Sequence, residues 1–501
     1  MSKPIEIIIA GGGTAGWMAA NLLIKKWADK NVNISLVESP DIGIIGVGEG
    51  STPTLKRFFE IIEVAERDWM PACNATYKVG IEFAGWSPES GVESYRHPFI
   101  SQTDVFTQRA FEVNCRTRRH GLDTHTAPED FLINGALAQQ NLGPLTPNNF
   151  PFRIEYGYHF DSGLLGEFLK DIAKQRGVNH LSKNVAEVTQ HPDGSIQSLI
   201  CSDGTVINGD FFIDCTGFKS LLLQQTLKVP FQSYKDCLFN DSAVVVQTPQ
   251  KQEINNETKA TAMSNGWCWN IPLQNRVGNG YVFSAQHITP DAAELEFRQH
   301  LGLSDDMSCR HLKMNVGQVQ QHWNKNCLAI GLSQGFMEPL EATALHLVQI
   351  CIEMFVIKFE EGQFSNQYQA QFNKFAKDRF DGVRDYIVAH YKLNTRTDSE
   401  YWQQNRDNTQ LSNSLMRLLD VWFKRGDMSE EIRRQDISEH WDPISWHCLL
   451  SGYGAYPPIA PNQPGKGCLY KEQNVAQFIQ GCALNFQSHQ HNLNELAQPD
   501  E

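Results

Sequence analysis

Ile7-Ile8-Ile9-Ala10-Gly11-Gly12-Gly13-Thr14-Ala15-Gly16 runs from a short apolar segment into three consecutive glycines. A stretch of helical composition follows, Ala15 to Trp27, and then a second strand-like segment, Val32 to Val37, ending at Glu38. Strand, glycine turn, helix and strand in that order predict a unit with parallel strands and a right-handed crossover. Gly11, Gly13 and Gly16 satisfy G-x-G-x-x-G. The first glycine makes the tight turn, the second lets a pyrophosphate approach the backbone, and the third lets helix and strand pack closely. The helix N-terminus then faces the phosphates, around Thr14 and Ala15. Glu38 follows Gly16 by 22 residues. A carboxylate at that place accepts hydrogen bonds from ribose hydroxyls. With the acid in position, a dinucleotide site is favoured over a plain structural turn. No second such fingerprint occurs, so an enzyme built on this unit is expected to receive its reducing equivalents from a separate protein.

The chain is 501 residues long, with 41% apolar and 20% charged residues, the balance of a globular protein. The net charge of −14 argues against nucleic acid as a partner, since phosphate binding favours a basic surface. The 12 cysteines are scattered and none forms Cys-x-x-Cys. That spacing predicts no metal site and points to reduced thiols in the cytoplasm. The N-terminus lacks the pattern of a signal peptide, and no stretch is apolar enough to span a membrane.

Further along, Gly48 to Pro53 reads as a Gly/Ser/Pro turn. From Tyr77 to Phe83 the pattern alternates, with Tyr77, Val79, Ile81 and Phe83 on one face. Lys78 falls on the other face, and from spacing alone it reads as a solvated lysine. Asn141 to Pro151 reads as a loop. Phe211 to Ile213 is a strand ending in Asp214, and Cys327 to Gly331 is another, followed by a turn and a long apolar helix from about Glu341 to Phe359. From about Ser365 onward the chain is expected to be mainly helical. His489 and His491 fall in a polar tail expected to be solvated.

Gly266-Trp267-Cys268-Trp269-Asn270-Ile271-Pro272 contains two tryptophans two apart. On an extended segment their rings share a face, which for residue types alone fits ordinary core packing. Together with the Ile-Pro continuation and the glycine fingerprint, the chain resembles the flavin-dependent halogenases of the tryptophan halogenase type. The resemblance extends through Cys73 to Ile81 and through Phe336-Met337-Glu338-Pro339-Leu340-Glu341-Ala342-Thr343-Ala344, and weakens in the C-terminal part.

The resemblance implies an α/β (α+β) fold. This is an FAD-binding, Rossmann-type flavoprotein monooxygenase core over 1–364, with a mainly helical part over 365–501 covering the substrate site. It implies that reduced FAD, O2 and chloride or bromide give hypohalous acid, which halogenates an electron-rich aromatic of the indole class. Lys78 falls on the family's catalytic lysine and Glu341 on its catalytic glutamate. Thr343 and Ala344 fall on the two residues whose backbone binds halide, at a helix N-terminus suited to anions. FAD contacts are implied for Gly11, Gly13, Thr14, Ala15, Gly16, Glu38, Gly48, Glu49, Val185, Asp214, Leu332 and Leu345. Trp267 and Trp269 would shield the flavin. His97, Phe99 and Trp441 would stack the substrate, although as residue types His97 and Trp441 fit a core equally well. The family often has Ser and Gly where this chain has Ala342 and Ala344. Tryptophan-specific members carry a tyrosine pair and a glutamate ahead of the stacking tryptophan to hold the amino acid backbone, whereas Asp427 to His440 contains no tyrosine. The implied partners are a separate flavin reductase and a small aromatic molecule, with room for a homodimer. The alternatives are a flavin-dependent aromatic hydroxylase and a flavin-binding protein without turnover.

Overall fold

A computed structural model describes residues 3–41, 43, 48–250, 253–304 and 306–496. The chain forms two compact units that interleave along the sequence. The first comprises Met1–Asn74, Phe160–Lys235 and Met314–Asp381, and the second Ala75–His159, Asp236–Lys313 and Gly382–Glu501. The segment after 364 therefore contributes to both.

The first unit is built on a six-stranded sheet. Its strand Ile5–Ala10 pairs in parallel with Val32–Glu38 on one side and Phe211–Asp214 on the other. Asn179–Ser182 and Cys327–Ala329 extend the parallel ladder outward, and Trp323–Asn324 closes one edge antiparallel. Ile7 to Ala10 are all buried, as expected for a central strand of a parallel sheet covered on both faces. Each such Ile contributes roughly 1.5–3 kcal/mol through burial. Ile8, Ala10 and Phe212 pack with Leu199, Leu222 and Leu223 in one core cluster. Helix Thr14–Lys26 packs against helices Ser162–Gln175 and Ala344–Glu361. The expected strand-turn-helix-strand order is thus present. The long apolar helix starts at Ala344 rather than Glu341, because a 3-10 turn, Pro339–Glu341, precedes it and Ala342 takes a left-handed φ of 55°. Gly48–Gly50 is a short strand, not a turn.

The second unit is built on a seven-stranded sheet in the order Arg310–Lys313, Ser242–Pro249, Arg276–Phe283, Gly266–Pro272, Glu257–Met263, Gly80–Ser87, Val92–Pro98. Neighbours run antiparallel except Glu257–Met263 and Gly80–Ser87, which are parallel. Gly266–Pro272 is an inner strand. Cys268 points into a cluster with Tyr281, Phe283 and Phe297, so Trp267 and Trp269, two apart, lie on the other face. The rest of this unit is largely helical, including Glu400–Asp407, Asn413–Phe423, Met428–Gln435, Pro443–Gly452, Val475–Ala483 and His489–Leu496. Among the described residues no helix is long and apolar enough to cross a membrane.

Candidate active site

In the first unit, the carboxyl ends of the parallel strands gather most of the residues expected to hold FAD. That is where open α/β sheets bind ligands. Gly11 has φ +114°, which only glycine adopts easily, and a Cβ there would lie 2.1 Å from the Cys215 carbonyl oxygen. A Cβ on Gly16 would lie 2.0 Å from the Gly11 carbonyl oxygen. Both glycines are therefore required by the fold itself. Gly13 differs: a Cβ there would meet nothing within 4 Å. The side of the turn that a pyrophosphate would approach is open, so the residues fit the cofactor.

Glu38 ends the second strand beside Gly12, where a Cβ would lie 1.7 Å from its carboxylate. Its Oε1 accepts from Lys170 Nζ at 2.9 Å and His180 Nε2 at 2.7 Å. Asp214 is fully buried, and its carboxylate faces protein. Oδ1 accepts from the Thr216 N–H and hydroxyl and from the Ser333 hydroxyl; Oδ2 accepts from the Leu222 and Leu223 N–H groups. That side chain locks the turn beside Gly11, so any contact with a cofactor there would come from the turn's backbone. Leu332 lies in the turn Gly331–Ser333, where a Cβ on Gly331 would come within 2.7 Å of Ala15 Cβ. Val185 begins the strand Val185–Gln190 and packs on the core cluster that contains Val37. Burial pushes the Glu49 carboxyl up to about 7; a hydrogen bond with Ser162 opposes this and the charge of Asp161 adds to it.

Thr343 is the N-cap of helix Ala344–Glu361 and makes no side-chain cap. The N–H groups of Ala344 and Leu345 therefore have no acceptor within the helix, and the helix dipole favours an anion there. Ala344 is exposed, Leu345 is 9% exposed, and Glu341 and Thr343 are buried.

The second unit holds the residues expected on the substrate side. Lys78 ends the short strand Thr76–Lys78 and has 0% exposure. The solvated reading of Lys78 is thus corrected: the strand breaks at Val79, and residues 75–81 are all buried. Lys78 Nζ lies 5.4 Å from the centre of the Phe99 ring. Phe99 is tied to the same segment, its N–H donating to the Val79 carbonyl at 3.0 Å. His97 pairs with Ile81 across the sheet. The His97 ring lies 6.3 Å from Trp441 and 5.9 Å from Tyr386. Tyr386 and Trp441 stack at 3.8 Å and 12°. The structure therefore brings Lys78, Phe99, His97 and Trp441 into one unit, and adds Tyr386. A tyrosine and histidine four apart on one helix face, Tyr386 and His390, were the available signal for it. Buried His159 lies opposite Thr76, its Nδ1 3.1 Å and Nε2 2.9 Å from the Thr76 and Thr258 hydroxyls. Burial holds its imidazole well below the usual range, and Lys78 and His489 lower it further.

Trp267 and Trp269 are buried, with ring centres 6.0 Å apart. Their cross-strand neighbours are Ala260 and Ala262 on one side and Gly280 and Val282 on the other. A Cβ on Gly280 would lie 2.1 Å from the Trp269 ring, so the indole rests on the bare glycine.

Residues 6–463 match the family described as tryptophan halogenase. The chain belongs to the tryptophan halogenase family. It is 36% identical over 478 residues to the tryptophan 6-halogenase SttH of Streptomyces toxytricini, covering 90% of each chain. The SttH crystal structure superposes with a TM-score of 0.85 over 98% of this chain and 100% of that one, at 32% identity. The tryptophan 7-halogenase RebH of Lentzea aerocolonigenes is 31% identical over 495 residues, covering 91% of each chain. BrvH, a flavin-dependent halogenase from Brevundimonas sp. BAL3, matches 99% of this chain and 100% of its own at 30% identity, TM-score 0.82. The fold is accordingly that of the flavin-dependent halogenases, and the protein is a flavin-dependent halogenase enzyme. The hydroxylase alternative is not favoured.

Proposed function

We propose that this halogenase binds FAD on the open side of the Gly13 turn, takes chloride or bromide at Thr343 and Ala344, and halogenates an indole-class aromatic through Lys78. Reduced FAD supplies the electrons that, with O2 and halide, give hypohalous acid. Trp267 and Trp269 keep the aromatic substrate away from the flavin. Lys78 holds the hypohalous acid by hydrogen bonding or carries its halogen on the amine. The ring carbon attacks the halogen; hydroxide leaves from the hypohalous acid, or the Lys78 amine leaves from the haloamine, and Glu341 is assigned to polarise the reagent or to accept the ring proton. His97, Phe99 and Trp441 present flat faces to a flat, electron-rich ring. The observation that carries the reading is the seat of Lys78, a fully buried lysine beside Phe99 on the strand that leads into the His97 sheet. Lysine is among the residues least often fully buried, and here burial sets its amine beside an aromatic ring. Incubation with a flavin reductase, NADH, FAD and either halide over a panel of aromatics tests it by mass spectrometry. Halide-dependent mass shifts support halogenation, and hydroxylated products independent of halide overturn it.

Two expectations accompany this reading. Turnover requires a separate flavin reductase, since one nucleotide fingerprint is present. Anaerobic NADH alone should leave bound FAD oxidised; rapid bleaching of the flavin overturns this. Free tryptophan should be a poorer substrate than indole. The segment ahead of Trp441 forms helix Met428–Gln435, in which Glu431 is occupied by Arg434 and Gln435. With no tyrosine in that segment, the ammonium and carboxylate of tryptophan lose their usual holders, and burying them unpaired is costly. Direct competition decides this, and a clear preference for tryptophan refutes it. The free cysteines are in keeping with a cytoplasmic location, and light scattering would test the expected homodimer.

A further inference from the structure

His489 was expected in a solvated tail, yet it is fully buried in the second unit, at the start of helix His489–Leu496. It lies beyond residue 463, where the family match ends. Its segment docks through backbone bonds: the His489 N–H donates to the Asn141 carbonyl and the Gly143 N–H to the Gln487 carbonyl, both at 2.9 Å. The imidazole then reaches the lysine strand. The Tyr77 N–H donates to His489 Nε2 at 3.2 Å, and His489 Nδ1 lies 3.0 Å from the Ile254 carbonyl oxygen. An N–H can only donate and a carbonyl can only accept. Nε2 is therefore the acceptor and Nδ1 carries the proton, which fixes one neutral tautomer. Burial holds this imidazole down to about 4, and its bond to Ile254 opposes the shift.

The place of insertion is specific. Strands Glu257–Met263 and Gly80–Ser87 pair in parallel, with Glu257 opposite Gly80. Continued backwards, that register sets Asn256 opposite Val79 and Ile254 opposite Tyr77. The first of these contacts is made directly, the Val79 N–H donating to the Asn256 carbonyl at 2.8 Å. At the second, the strands have parted, and the imidazole bridges the Tyr77 N–H and the Ile254 carbonyl. The two bonds lie on either side of Lys78. On the opposite edge Lys78 pairs with Gly157.

We propose that His489 is a positioning residue for Lys78: its imidazole completes the ladder where the lysine strand leaves the sheet, fixing the backbone from which Lys78 projects. The proposal rests on the reading of Lys78 as the halogen-transferring residue, and Lys78→Met tests that reading separately. His489→Leu removes both bonds at similar volume, whereas the side-chain amide of His489→Gln can still accept and donate. Three readouts are needed: hydrogen exchange over residues 75–80, kcat and KM for halogenation of indole, and the rate of reduced-flavin oxidation. His489→Leu should lose amide protection over 75–80. Its halogenation kcat should fall at least about tenfold, because a displacement near 1 Å suffices for such losses. KM for indole and flavin oxidation should stay near the parent values. His489→Gln should keep both protection and kcat close to the parent. Unchanged protection in a folded His489→Leu overturns the hydrogen-bonding role. Lost protection with normal kcat overturns the positioning role, and equal loss in the Leu and Gln variants reduces His489 to packing and overturns it as well. If His489→Leu does not fold, His489→Asn, too short to span both partners, carries the same comparison with Gln.

Discussion

Lys78→Met should abolish aromatic halogenation while leaving reduced-flavin oxidation intact. The expected loss is at least about 100-fold, the lower bound for removing a group that acts on a proton or leaving group in the transition state. Methionine preserves most of the length and the apolar stem, so the change isolates chemistry from packing. The interaction with the Phe99 ring, 5.4 Å from Nζ, would be lost, a debit of about 0.5–2 kcal/mol at most. Lys78→Arg is the complementary variant. Its guanidinium donates hydrogen bonds but never becomes a neutral amine. Halogenation retained in Arg but lost in Met points to hydrogen bonding of hypohalous acid, and loss in both points to a haloamine. Near-normal halogenation by Lys78→Met refutes the mechanism. Simultaneous loss of halogenation and flavin oxidation makes the lysine structural and returns weight to hydroxylation.

The parts of this protein that were legible in its sequence are those whose physics is local. Gly11 and Gly16 are demanded by backbone close to them in the chain or in the next strand, and the G-x-G-x-x-G spacing announces it. The paired tryptophans follow from strand periodicity, which sets Trp267 and Trp269 on one face and Cys268 on the other. The start of the long helix was misjudged by three residues, since a left-handed Ala342 is invisible to an apolar count. The short strand Gly48–Gly50 was missed because glycine and serine are the residues of turns. The seat of Lys78 escaped for a different reason. Alternation assigns it a face but not a partner, and here residues on both faces are buried. His489 was beyond reach entirely: its partner Tyr77 is 412 residues away, and nothing around His489 distinguishes it from a solvated histidine.

The glycine turn offers the second large effect, and its three glycines should fail differently. Gly13→Val should lower FAD affinity at least about 100-fold, or roughly 2.7 kcal/mol, while the apoprotein keeps its stability within about 0.5 kcal/mol. The reason is geometric. Gly13 has an ordinary extended backbone, φ −73° and ψ 176°, and its Cβ would enter open space. The first added carbon meets no protein atom within 4 Å, so the branched side chain grows into the space assigned to the pyrophosphate. Gly16→Ala should do the reverse. Its Cβ would sit 2.0 Å from the Gly11 carbonyl oxygen, so helix and strand must separate, at a cost of about 1–3 kcal/mol. Gly11→Ala combines a comparable clash with the Cys215 carbonyl and a φ of +114°, and should be the least stable of the three. Thermal unfolding of the apoproteins and flavin titration of those that fold separate the two kinds of damage. Tight FAD binding by a folded Gly13→Val would show that the pyrophosphate lies elsewhere, because no protein atom competes for that space.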